Sequence, residues 1–260
     1  MRKGKWCAAG SFCFATVLVG AIAAPVRADM LVNVDFNTTS SSTYSGAAVL
    51  GAAGDKWNAI GESVYFDRTT QTVNNLPLVS SDGAASGVQL SYSLTQPQSQ
   101  PGMGAFDSND STSPFFGTPY ESLMRDYFFA RGGAGSFTIS GLTAGGTYEL
   151  VLYSGANSAP GGAGSGRDTA FTIGGITKHI VQGNNNAFVE GANYATFDTT
   201  ADGTGTIIFS IAAANLNSLE PDVNGFQLLA EPTAVPVPST LFGGMALLMW
   251  IAIRRVVPRQ

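Results

Sequence analysis

Chemistry that depends on histidine or cysteine has little to work with in this chain. His179 is the only histidine among 260 residues, and the two cysteines, Cys7 and Cys13, both lie near the N-terminus. A Ser-His-Asp triad needs a histidine beside a nucleophilic serine, and no Gly-x-Ser-x-Gly turn stands near His179. His179 falls between Lys178 and Ile180 in a strand-like stretch, where a solvated edge residue is the simpler reading. Zinc sites draw on several His or Cys ligands, so one histidine makes zinc a poor fit. Carboxylates are plentiful, and a glycosidase needs two of them roughly 5–10 Å apart. Asp35, Glu62, Asp67, Asp126 and Glu149 are available, yet nothing in their spacing sets a pair apart. The expectation is a protein that is not an enzyme, with a glycoside-active enzyme as the more distant alternative.

Sugar recognition asks for different residues: aromatic rings to stack on sugar faces, and polar side chains to meet hydroxyls. Trp57, Tyr120 and Tyr127 are the candidates, with Phe115 and Phe116 beside them in loop-rich sequence. Burial in a core is the competing fate of rings this large.

The elements that must position these residues are short strands. Residues 31–36 alternate apolar and polar, as a half-buried first strand does. Residues 64–66 form a second strand, and residues 88–94 alternate cleanly. Residues 96–118, rich in proline, read as a long loop. Residues 121–131 form the one plausible helix, acidic at its start and basic at its end in accord with the helix dipole. Residues 135–140 and 147–153 are strands joined by a glycine-rich turn, either a hairpin or a crossover between sheets. Residues 157–166, with four glycines, form a flexible loop. Residues 169–173, 177–181, 194–197, 204–211 and 223–229 complete about nine or ten strands between Gly, Asn and Ser turns. That pattern predicts an all-β sandwich.

Both ends of the chain read as addresses rather than core. Arg2, Lys3 and Lys5 precede the apolar residues 6–24, and Ala28 before Asp29 ends a small-residue cleavage site. This is the pattern of a secretory signal peptide over residues 1–28. Both cysteines lie inside it, so the exported part has no disulfide to form. At the other end, Val235, Pro236, Val237, Pro238, Ser239 and Thr240 precede thirteen uncharged residues, 241–253, and then Arg254, Arg255 and Arg259. The prolines hold the motif extended. The span makes a helix of about 20 Å, lengthened if the arginines snorkel. Arginines at one end place the C-terminus in the cytoplasm.

Motif, apolar span and terminal arginines together resemble the PEP-CTERM sorting signal, usually Val-Pro-Glu-Pro-Ser-Thr-Leu. Val237 stands here where the family has Glu. The resemblance implies processing by signal peptidase and an exosortase, a membrane intermediate, and delivery to the cell surface or extracellular matrix. It divides the chain into a signal peptide (1–28), an exported β-sandwich (29–230), a proline-rich linker and sorting motif (231–240) and a transmembrane span with a basic end (241–260).

The opening and closing strands around a central hairpin resemble a galactose-binding-like jelly roll. Such folds often carry a structural Ca²⁺ where first and last strands meet, so the resemblance points to Asp35 with Asp222 or Asn224 as oxygen ligands. Solvated turn residues explain the same side chains more simply, and no other cofactor is implied.

Between the two targeting segments stand six cations against all eighteen acids, a net charge of −12 where the whole chain shows −5. Nucleic acid, which binds through Lys and Arg against phosphate, is excluded as a partner. The sequence thus predicts a non-enzymatic exported bacterial surface or matrix protein. The alternative is a carbohydrate-binding module for exopolysaccharide.

Overall fold

The computed structural model describes residues 30–38, 42–99, 102–107, 111, 113–155, 167–214 and 220–231. The signal peptide, its Ala28–Asp29 cleavage site, the Val235–Thr240 motif, the apolar span and its arginines lie outside the described residues. Among those that are described, no helix is long and apolar enough to cross a membrane.

In chain order the strands are β1 (Leu31–Thr38), β2 (Asn58–Glu62), β3 (Thr70–Val79), β4 (Ala85–Thr95) and β5 (Met103–Asp107). A short helix, α1 (Glu121–Arg125), leads directly into β6 (Asp126–Ala130) and then β7 (Ala134–Ser140), β8 (Thr147–Tyr153) and β9 (Asp168–Ile173). The remainder are β10 (Ile176–Val181), β11 (Tyr194–Thr200), β12 (Ile207–Ala213), β13 (Asp222–Val223) and β14 (Gly225–Ala230). They form a five-stranded sheet ordered β11-β8-β14-β1-β2, a six-stranded sheet β10-β9-β12-β7-β4-β3 and a three-stranded sheet β13-β6-β5. The protein is mostly β, with sandwich-like sheets.

Period-two alternation builds the core between these sheets. Val32, Val34 and Phe36 of β1 meet Leu90, Tyr92 and Leu94 of β4, Phe137 and Ile139 of β7, and Phe209 and Ile211 of β12 in one buried cluster. Phe137 stacks on Phe209 at 4.6 Å between ring centroids, and Phe36 lies 4.5 Å from Phe128. First and last strands do meet: β1 pairs antiparallel with β14, placing Asp35 opposite Gly225. The central block is a crossover, since β7 and β8 belong to different sheets.

Three expectations are corrected. First, β1 is buried on both faces rather than one. Its polar residues Asn33, Asp35 and Asn37 are buried, the first two against Lys56 and Tyr44, so their hydrogen bonds must be made inside the protein. Asn33 donates to the Lys56 carbonyl and accepts from Gln227, which in turn binds Tyr153 and Leu50. Second, the helix stops after five residues. Tyr127, Phe128 and Phe129 favour a pleated surface, and as β6 they alternate between the core and the outer face. Third, the proline-rich loop contains β5, and an unexpected strand, β3, precedes β4. β5 carries no β-branched residue, and β3 is interrupted at Asn75 (φ 56°) and Pro77. Both depart from the composition that marks a strand. Gly104 of β5 is obligatory, because a Cβ there would lie 2.0 Å from the Ser63 carbonyl oxygen.

Candidate functional site

The three-stranded sheet has two unlike faces. Phe128 and Ala130 of β6, with Met103 and Ala105 of β5, point into the core. On the outer face Tyr127 and Phe129 form a separate cluster with Val64, and Phe106 joins them at 5.8 Å from Tyr127 and 6.4 Å from Phe129. Tyr65 bridges antiparallel to Met103 and so delivers Phe66 to the same side. A Cβ built on Gly102 would touch the rings of both Phe129 and Phe66, so these two flank that glycine. Phe66 is 65% exposed and Phe106 45% exposed, although both are fully apolar. The result is an aromatic ledge, two buried rings supporting two exposed ones.

Ion pairs close both ends of the ledge. At the Phe106 end, Arg125 donates to Asp107 at 2.7 Å. At the Phe129 end, Arg131 and Arg167 bind the two oxygens of Glu220, and Arg167 continues to Asp222 at 3.4 Å. The Arg167 guanidinium lies 5.4 Å from the centre of the Tyr127 ring. Asp222 is fully buried and accepts from Ser154 and from Gln182. Burial pushes its carboxyl above the ordinary range, while Arg167, Ser154 and Gln182 pull the other way. Burial likewise raises the Tyr127 phenol to about 12. Such a network can hold a planar hydrogen-bonding edge in a fixed place beside the rings.

Of the three sugar-contact candidates, only Tyr127 belongs to this surface, and it lies beneath Arg167. Trp57 is buried against Tyr44 and Tyr153 and donates its indole N–H to the Gly46 carbonyl, so it offers no ring face. Tyr120 is half-buried and packs 4.5 Å from Phe188 in the same second cluster. Phe115 is buried and Phe116 exposed near that cluster. Sequence reasoning missed Phe66 and Phe106. Their signal was an aromatic ending a short apolar run, with an acid immediately after it.

Each of the calcium candidates already has partners within the protein. Asp222 belongs to the arginine network, where a guanidinium already occupies the place of a cation. Asn224 accepts from the Gly155 amide and donates to the Asp126 carbonyl, which uses up its side chain. Asp35 lies opposite Gly225 and so beside Asn224; one oxygen accepts from the Tyr44 amide at 2.8 Å, and the other has no hydrogen-bond partner among the described residues. Among the described residues no three acidic, His or Cys side chains gather around a metal position. A Ca²⁺ ion takes six to eight oxygens, and the side chains of Asp222 and Asn224 are already engaged within the protein.

Asp35 instead behaves as a buried acid. Burial raises its pKa to about 8; the Tyr44 amide opposes the rise, and the charge of Asp126 adds to it. An unfolded aspartate titrates near 4, so the fold binds an extra proton across that window. Stability conferred by the proton is complete below pH ~4 and is lost as pH climbs towards 8. Asp35→Asn keeps an acceptor for Tyr44 and cannot ionise. Melting curves of the full chain should show wild type losing stability between pH 5 and pH 8.5, and the variant losing clearly less. Parallel curves would refute the assignment.

No family model matches the chain, and no curated protein matches it. Among solved structures the chain is weakly similar to the plant receptor-like kinase FER, at 14% identity and a TM-score of 0.38, over 78% of this chain and 42% of that one. The complex of FER with RALF23 and LLG2 aligns at 13% identity and a TM-score of 0.39, covering 78% and 40%. An exo-β-1,3-galactanase from Phanerochaete chrysosporium, solved with galactose, aligns at 14% identity and a TM-score of 0.25, covering 54% and 33%. The chain thus spans about two-fifths of the length of the first of these structures.

Proposed function

We propose that this is an exported, non-enzymatic glycan-binding protein, and that the ledge of Phe66, Phe106, Phe129 and Tyr127 is where the glycan lies. The observation that carries the reading is the exposure of Phe66 and Phe106 over a rigid sheet, with an arginine–carboxylate pair at each end. Apolar rings left in water beside fixed donors and acceptors suit a sugar, whose faces are apolar and whose rim is hydroxyl. From Arg125 to Arg131 the strand runs about 20 Å, which suits a short run of sugar rings rather than one terminal unit.

The ligand is a neutral polysaccharide. Each arginine at the ledge ends already faces a carboxylate, and the −12 charge between the targeting segments repels a polyanion. The producer's own exopolysaccharide is the natural candidate, and adhesion within a matrix is the natural role. Electrophoresis of the full chain through gels containing neutral or acidic polysaccharides tests this. Retardation should occur in a neutral gel and vanish with Phe106→Ala; no retardation in any neutral gel would remove the reading.

Delivery rests on the two ends of the chain, with processing by signal peptidase and an exosortase. Deleting residues 241–260 should move the protein from membrane fractions to the soluble exported fraction. A truncated protein that still sediments with membranes would overturn the anchor.

A further inference from the structure

The outer face of the six-stranded sheet carries an arrangement that glycan binding at the ledge does not use. Strand register places Thr72, Ser93, Ser136, Ser210, Thr172 and Thr177 in one row across all six strands. Thr72 and Ser93 hydrogen-bond at 3.2 Å, and Thr172 and Thr177 at 2.8 Å. The next row along reads Thr95, Ala134, Ala212, Ala170 and His179. On the other side of the hydroxyls lie Ser91, Thr138 and Ile208.

Three properties of this face matter together. Across β4, β7, β12, β9 and β10 its outward positions hold one acid, Asp168 at a corner, and that carboxylate meets His179 at 3.1 Å. The remaining acids lie elsewhere on a strongly negative chain. Most of the described side chains on it are short, which lets a second flat surface approach to the roughly 10 Å at which sheets pack. Ile208, 55% exposed, sits on β12, one of the two central strands, with Thr138 beside it and Ser210 in the next row.

We propose that this face is the contact between two copies of the chain, packed sheet to sheet about a two-fold axis through the hydroxyl row, with Ile208 inside the contact. Two bodies of like charge can approach closely only where neither presents charge. A row of hydroxyls is its own complement, because each can donate and accept. Six strands at about 4.8 Å and three outward residues per strand cover about 600 Å² per copy. That is near the lower bound of specific interfaces, so the dimer should be reversible on dilution.

Sedimentation equilibrium of the full chain in density-matched detergent, over a range of concentrations and at low and high salt, tests the proposal. The expected result is a monomer–dimer equilibrium that strengthens with salt, because the repulsion between the acidic bodies is screened. Ile208→Glu and Ser136→Glu each place a charge on an exposed position, where folding is spared. Each should weaken association by about tenfold or more, with an unchanged melting temperature, while Phe106→Ala should leave it intact. A monomer under all conditions would overturn the proposal, as would a dimer that tolerates Ile208→Glu. Loss of polysaccharide binding rather than of dimer in the two charge variants would make this face a glycan surface instead.

Discussion

Phe66→Ala and Phe106→Ala are each expected to weaken binding of a neutral polysaccharide by about 10- to 100-fold, a loss of about 1.4–2.8 kcal/mol. The size follows from their position. Both rings are exposed, and both are held by neighbours that cannot move aside: Phe129 and Tyr127 are buried beneath them, and β5 is fixed by pairing with β6 and by the Tyr65–Met103 bridge. A preorganised ring loses little freedom when a sugar settles on it. Removing it forfeits the stacked area outright. Neither ring contributes to the main core, so the melting temperature should change little. Phe116→Ala, an equally exposed phenylalanine outside the ledge, is the control and should bind like wild type. Affinity unchanged in both ledge variants would mean that the exposed rings have another purpose.

The largest stability effect belongs to Arg167. Its guanidinium is nearly buried and serves Glu220 and the fully buried Asp222. Arg167→Ala leaves Asp222 desolvated without its counter-charge, and breaking a buried pair from one side costs about 3–5 kcal/mol. For a domain of this size that lowers the melting temperature by on the order of 10 °C. The pH dependence supplies a signature that lost packing would not. Burial already raises the Asp222 carboxyl, and Arg167 is the first influence that opposes the rise. Without the arginine the carboxyl takes up a proton more readily, so the deficit should shrink as the pH falls. Thermal melts at pH 5 and pH 8 check this. A deficit that is the same at both would assign the loss to packing alone.

How far the sequence foretold this site depends on the type of signal. Clean alternation over residues 88–94, and an apolar run over residues 147–153 after a glycine-rich turn, named two strands, and the meeting of first and last strands was what the jelly-roll resemblance implied. Residues 121–131 misled because their charge pattern suits a helix while Tyr127, Phe128 and Phe129 suit a sheet. The partners that decide the matter, β5 and β13, are short and far away in the chain. β5 itself was hidden by its glycine, Gly104, whose need is a close approach to Ser63 that only the folded backbone reveals. The same distance effect governed the rings. Trp57, the most conspicuous aromatic near a loop, went inside because Tyr44 and Gly46 fold over it. Phe66 and Phe106 stayed outside because an edge bridge and a short strand happen to carry them to one face. Asp35 and Asp222 were named only as calcium ligands that the resemblance implies, and both are buried. Their partners, a protonated environment for one and Arg167 for the other, could not be read from spacing.

Hydroxyl-radical footprinting of the full chain, with and without a neutral polysaccharide that retards it, addresses the ledge most directly. Exposed phenylalanines oxidise readily, so Phe66, Phe106 and Phe116 should all be labelled in the free protein. Glycan bound on the ledge should protect Phe66 and Phe106 and leave Phe116 labelled as before. Protection of Phe116 with Phe66 and Phe106 still fully labelled would contradict the account and move the glycan to the other side of the molecule.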